Sequence, residues 1–181
     1  MSEITAAPAA PAATRVLEIT VTGTPAGQGA ISFKGRGRAV HTNDDVLKPW
    51  RTAITRAAMR QLGTHQRVRM KKNPNCLACK KPNRTHGVIS GPAAVQIVVT
   101  VERSKTAADR GDLWPANRTT SDIDHHARAV LDALSNASVY PDDGQVVALE
   151  VLKVFPITPH PDALPKPGAV IRVWKIGVPE A

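Results

Sequence analysis

Alternation marks the first ordered stretch of the chain. In "RVLEITVTG" the apolar Leu17, Ile19 and Val21 fall two apart, the period of a strand with one buried face. Three later segments, "AAVQIVVTVER" (93–103), "QVVALEVLKVF" (145–155) and "AVIRVWKIGV" (169–178), are rich in Val and Ile and read as further strands. Between the first and second of these four, the period changes. In "NDDVLKPWRTAITRAAMRQLG" the residues Leu47, Trp50, Ile54, Ala57 and Ala58 recur at helical spacing. Asp44 or Asp45 suits the cap, Pro49 lies near the first turn, and Gly63 suits the stop. Arg56 and Arg60 fall opposite the apolar stripe and Arg51 at its edge, so the exposed face is basic. A second helix is expected over "DIDHHARAVLDALSNA", with Ile123, Ala127, Val130, Leu131 and Leu134 on its core side.

The connecting segments complete the order. "TPAGQGAISFKGRGRAVHT" holds four glycines around two short apolar pieces and reads as a loop and hairpin with basic tips at Lys34, Arg36 and Arg38. Residues 64–92 form a long basic insertion, 104–121 a polar loop, and "PITPHPDALPKPG" a proline-rich loop. Residues 1–14, rich in Ala and Pro, read as a disordered tail ahead of one domain over 15–181. The sequence β, hairpin, α, β, α, β, β predicts a single small α+β domain, with a mixed sheet and two main helices on one face.

Composition narrows the partner. With 181 residues there is room for one domain with a real core. The net charge of +9 favours a polyanion such as nucleic acid, and aromatic residues at 3% argue against base stacking as the main binding mode. The N-terminal stretch has no basic segment followed by an apolar run, so it does not read as a secretion signal. No apolar run approaches the roughly 20 residues needed to span a bilayer. Two cysteines make no disulfide scaffold, which points to a reducing, cytoplasmic setting.

Against this basic background the acids gather. Asp122, Asp124, Asp132, Asp142 and Asp143 fall in one short stretch. Two residues two apart diverge on a helix but share a side in extended chain, so Asp122 and Asp124 address one ligand only if Asp122 precedes the helix. The plain alternative is that Asp122 caps the helix and Asp124 supports its first turn, while Asp142, Asp143 and Gly144 form an ordinary turn. If Asp143 approaches the other two, three carboxylates need a cation, and hard oxygen ligands suit Mg²⁺ or Mn²⁺. Asp124 stands four residues before Arg128, the favourable order for a helical ion pair.

The block "SDIDHHARAVLDALSNASVYPDDGQVVALEVLKVF" resembles the signature of the RusA family of Holliday-junction resolvases: D-x-D, a basic residue four on, then D-A-L, then D-D-x-Q-V-V before a strand. That resemblance implies a homodimeric endodeoxyribonuclease that cuts four-way DNA by paired phosphodiester hydrolysis. It implies a Mg²⁺ or Mn²⁺ ion on Asp122, Asp124 and Asp143, with Asp142 in support. Arg128 stands where the family's bacterial members carry a catalytic lysine, and an arginine steadies phosphate charge but is a poor proton donor. Lys34, Arg36, Arg38, Lys48, Arg51 and Arg56 would line the path of the DNA backbone. His125 and His126 replace a more usual polar–Leu pair and read as incidental rather than as phosphate contacts. The rival readings are a junction-binding protein without turnover, a nuclease acting on flaps or other branches, and a zinc-stabilised basic binding domain.

Cys76 and Cys79 have the spacing of a zinc knuckle but supply only two ligands. His65 and His86 flank them and would complete a Cys₂His₂ zinc set; a pair of free thiols on a basic loop is the other reading.

Overall fold

The computed structural model describes residues 13–29, 31–34, 38–64, 80, 87–116 and 120–177, with backbone only over the two strands of the hairpin. Residues 1–12, Arg36, His65, Cys76, Cys79, His86 and nearly all of the basic insertion lie outside the described residues, while Ala13 and Thr14, expected in the disordered tail, open the first strand.

Strands β1 (Ala13–Thr22), β4 (Ala93–Thr100), β5 (Val146–Val154) and β6 (Gly168–Ile176) form one mixed sheet in the order β1-β6-β4-β5. The pairs β1·β6 and β6·β4 are antiparallel and β4·β5 is parallel. A separate hairpin pairs β2 (Ile31–Lys34) with β3 (Arg38–His41), and its last rung is Lys34 opposite Arg38.

Alternation then sorts the sheet into two faces. Leu17, Ile19 and Val21 enter the core beside Val173, Ile171 and Ala169, their partners across the β1·β6 ladder, with Val95, Ile97 and Val99 from β4. The opposite face carries a polar row across all four strands. Arg172 donates from Nε to Glu18 Oε1 at 3.0 Å and from Nη1 to Gln96 Oε1 at 2.9 Å, and Gln96 Nε2 donates to Glu150 Oε2 at 2.9 Å. Arg172 also grips Asp162 through two bonds of 2.7 Å, and these hold the Asp162 carboxyl below its usual range.

Two long helices, α1 (Asp44–Leu62) and α3 (Ile123–Asn136), supply the other half of the core through Leu47, Trp50, Ile54, Ala58, Val130, Ala133 and Leu134. They are tied to each other by Thr55 Oγ1, which donates to the Ala133 carbonyl at 3.0 Å, and by Arg51, 3.2 Å from Asp132. Gly63 ends α1 in the left-handed region, φ 63°, which glycine adopts without a Cβ clash. The cap of α1 is neither Asp44 nor Asp45. Asn43 occupies that position, and its side chain turns away to bond Gly27 O and Gly29 N. Asp44 instead pairs with Lys48 at 2.8 Å. Pro49 lies at the sixth helical position, past the first turn, and removes the N–H that would reach the Asp45 carbonyl.

The polar loop also holds a short helix, α2 (Lys105–Asp109), that hydrophobic periodicity does not signal. Ser104 caps it, accepting from Ala107 N at 3.2 Å, and only Ala107 is buried. No described helix is long and apolar enough to cross a membrane.

Ile97 on β4 is fully buried between the helices and the sheet, whereas Leu149 on the edge strand β5 is 45% exposed. Ile97→Ala is expected to cost about 2–5 kcal/mol and Leu149→Ala under about 1 kcal/mol, read by urea unfolding.

Candidate metal centre at the start of α3

Helix α3 buries Ala127, Ala129, Val130, Ala133 and Leu134 and so runs along the sheet with its first turn past the C-terminal ends of β4 and β5. Two segments meet it there. From β5, Lys153 Nζ donates to Thr120 Oγ1 at 2.8 Å and to the Ser121 carbonyl at 3.0 Å. From the loop after β1, Gln28 N donates to the His125 carbonyl at 2.9 Å. That loop comes so close that a Cβ at Gly27 would stand 2.1 Å from Ser121 Oγ and 2.9 Å from His125 Cβ. Asn43, bonded to both Gly27 and Gly29, anchors the loop from the other side.

Asp122 stands at the N-cap position in extended conformation, φ −65° and ψ 151°, and its side chain makes no capping bond. The capping explanation for its carboxylate therefore fails. The extended residue turns Asp122 toward Asp124 in the first turn, and one ligand atom from each of Asp122, Asp124 and His125 lies within 4.8 Å of the others. Two carboxylates this close repel by on the order of 1 kcal/mol in water, and by several times that where solvent is excluded. Nearby positive charge offsets this repulsion. Arg128 lies 3.6 Å from Asp124 with its side chain 67% exposed, an ion pair of the weak helical kind. Lys153 stands beneath; burial pulls its ammonium below the usual range, and the Asp122 charge partly offsets that. Two carboxylates and an imidazole are a donor set that could hold a divalent metal ion.

His125 was not legible as part of this group. Its ring Nε2 lies 3.9 Å from Asp124 Oδ2, close enough to share a ligand. The helix is also turned relative to its sequence stripe: Ile123 is exposed, and His126 is buried at 2% exposure. Ile123 is the first residue of the helix and stays 43% exposed. His126 faces inward, with both ring nitrogens lacking a hydrogen-bond partner among the described residues.

Asp143 is not part of the group at the start of α3. It opens a 3-10 turn, Asp143–Gln145, that leads into β5. Its charge, with those of Asp132 and Asp142, faces the Tyr140 hydroxyl, which donates to the Leu131 carbonyl at 3.3 Å. Asp142 is a turn residue here, accepting from Gly144 N at 2.9 Å. Lys153, beside Asp122, is the penultimate residue of β5, and Asp143 precedes its first. From Val146 to Lys153 a strand advances roughly 23 Å, so the acids form two groups at opposite ends of β5.

The basic residues expected along a DNA path divide similarly. Arg56 lines an open cleft of about 780 Å³ with Thr20, Thr22, Arg60 and Thr64, at the β1 edge of the sheet. Arg51 is committed to Asp132 and Lys48 to Asp44. The side chains of Lys34 and Arg38 are outside the described residues.

A family model described as Endodeoxyribonuclease RusA matches residues 22–161. YqaN, an uncharacterized protein of Bacillus subtilis (strain 168), is 31% identical over 91 residues. The match takes in 45% of this chain and 62% of that protein, so it spans under two thirds of the relative's length.

Burial pushes the His126 imidazole from 6.5 down to about 4, with Lys153 and His125 adding to the effect. The folded state therefore takes up its proton at lower pH than the unfolded chain. Stability is full above about pH 6.5 and falls as pH drops toward 4, by on the order of 3 kcal/mol. Denaturant titrations of metal-free protein at pH 7.5 and 4.5 should show that loss, and His126→Leu should remove most of it.

Proposed function

Since the chain belongs to the RusA family of endodeoxyribonucleases, we propose that it is a metal-dependent, structure-selective nuclease that resolves four-way DNA junctions. The observation that carries the reading is the pair Asp122 and Asp124, brought together with His125 at a helix start where the Asp122 carboxylate makes no capping bond. These residues would hold Mg²⁺ or Mn²⁺. Such an ion, when bound, supplies a Lewis acid for a phosphoryl oxygen and a water of lowered pKa.

The chain's own side chains then divide the remaining work. Asp122 and Asp124 bring negative charge and fixed oxygen ligands. Lys153 holds the Thr120–Ser121 segment, and so the extended backbone of Asp122, against β5. Arg128, exposed on the same helix face as Asp124, reaches outward to steady charge on the phosphodiester. Hydrolysis adds water across the P–O3′ bond and leaves a 5′-phosphate and a 3′-hydroxyl. Arg56 and Arg60 suit the duplex arms, where contacts to phosphate position the DNA without reading bases. A homodimer suits a substrate with two symmetry-related strands to cut, acting where DNA is handled, in the cytoplasm of a bacterial or phage-infected cell.

One observation favours a second reading, a junction-binding protein without turnover: Asp143 stands with Asp132 and Asp142 rather than with Asp122. Synthetic four-way, flap and linear duplexes separate the two readings. Paired nicks in the four-way DNA with Mg²⁺ or Mn²⁺, lost in EDTA and cut at least a hundredfold in Asp122→Asn and Asp124→Asn, are expected for the nuclease. Tight binding with no product in either metal would establish the second reading.

Arg128→Ala is expected to slow nicking about ten- to a hundredfold while leaving junction affinity within about threefold, measured by single-turnover kinetics beside gel-shift titration.

A further inference from the structure

We infer that the open edge of β1 and the neighbouring wall of α1 form a docking groove for an extended acidic peptide of a partner protein, which pairs with the strand at residues 20–22. The groove uses no residue of the metal centre and does not depend on the nuclease reading.

Its course follows a free strand edge. On one side β1 pairs with β6; on the other it ends the sheet, so its outward N–H and C=O groups have no strand partner. Val21 faces the helices, whereas Thr20 and Thr22 point to the opposite face and are exposed. The cleft of about 780 Å³ touches all three, so it wraps the edge of the strand rather than one face of the sheet. A second cleft, of about 390 Å³, continues from Thr22 past Gly23 to Thr24 and shares Ala53 with the first. As the strand side advances from Thr20 to Thr24, the helix side runs back from Arg60 to Val46, so α1 walls both clefts. From Val46 to Arg60 a helix advances roughly 21 Å, the reach of about six or seven extended residues.

The chemistry changes along that length. The Val46 end is apolar, with Pro49 and Ala53 beside a Val46 that is 45% exposed. Trp50 lines this end too, and its buried indole Nε1–H has no hydrogen-bond partner among the described residues. A peptide carbonyl seated there is the acceptor that it lacks. The far end is cationic. Arg56 and Arg60 stand four apart on one helix face, both exposed. Arg51 and Lys48 are held by Asp132 and Asp44, but Arg56 and Arg60 have no ion-pair partner among the described residues. Two like charges at this spacing repel, and a carboxylate between them relieves that.

An extended peptide answers all three features: backbone for the strand edge, an aliphatic side chain for the Val46 end and carboxylates for the arginines. Duplex DNA answers only the last. Its phosphates suit Arg56 and Arg60, but they donate no hydrogen bond to the β1 carbonyls and bring no aliphatic side chain. A bound peptide and a duplex arm therefore exclude each other at the cationic end.

Blocked, fluorescein-labelled heptapeptides test this on the full chain. Each carries leucine at one end, glutamates at the other end and two residues before it, and threonines between, so that leucine and glutamates share one face. Both chain directions are made. Binding is read by fluorescence anisotropy, and the Trp50 indole N–H by nitrogen-15 NMR, assigned with Trp50→Phe. One direction is expected to bind saturably and to shift that indole resonance. Replacing its glutamates by glutamine should weaken binding at least tenfold, as should Arg56→Gln with Arg60→Gln in a protein whose thermal melt matches wild type. Methylating alternate backbone nitrogens of the peptide should abolish binding, since strand pairing needs those N–H groups. Peptides of neither direction saturating overturns the inference. So does a methylated peptide that binds as well as its parent, which would mean charge attraction without strand pairing. An indole resonance moved by duplex DNA but not by peptide would make the groove a nucleic-acid track, and one that moves on dilution alone would give it to a second copy of the chain; either result overturns the inference.

Discussion

The structure depends on a single packing constraint: helix α3 must bury Ala127, Val130, Ala133 and Leu134 against the sheet. Apolar surface of this kind stabilises by roughly 25 cal/mol per Å² removed from water, so the stripe fixes the helix axis. The axis in turn fixes where the helix begins. Its first turn overhangs the C-terminal ends of β4 and β5, where Lys153 reaches the carbonyl before Asp122 and the Gly27 loop closes against Ser121 and His125. The acids are thus held by neighbours that have no acidic function of their own.

Electrostatics give that placement its meaning. In a chain of net charge +9, Asp122, Asp124 and His125 each bring a ligand atom within 4.8 Å of the others, and the two carboxylates repel each other. Arg128 and Lys153 moderate the repulsion, Arg128 in solvent and Lys153 partly buried. The second acidic group, around the Tyr140 hydroxyl, differs in kind. Asp142 serves a turn, Asp132 binds Arg51 of the neighbouring helix, and Asp143 is exposed beyond them. The two groups belong to opposite ends of one edge strand.

Much of this was legible along the chain. The period-two face Leu17, Ile19, Val21 enters the core, Gly63 stops α1, and Asp122 precedes its helix in extended conformation, as the D-x-D spacing requires. What escaped was set by tertiary context. A five-residue helix such as α2 is too short to show a period, and its signal is the single cap Ser104. Ile123 fits the helical stripe, but it is exposed at the first position of the helix and His126 is buried instead. A turn sequence such as Asp142-Asp143-Gly144 says that the chain reverses, not how far the following strand then travels. The expectation that Asp143 meets Asp122 was therefore a guess about distance, and β5 is too long for it within one chain.

The central claim is that the start of α3 is a divalent-cation centre. Anomalous diffraction from crystals grown with Mn²⁺, collected at the manganese edge, tests it most directly. The account predicts a peak within about 2.5 Å of carboxylate oxygens from both Asp122 and Asp124. A peak whose ligands leave out those two residues, or no peak at a Mn²⁺ concentration that supports cleavage, would contradict it.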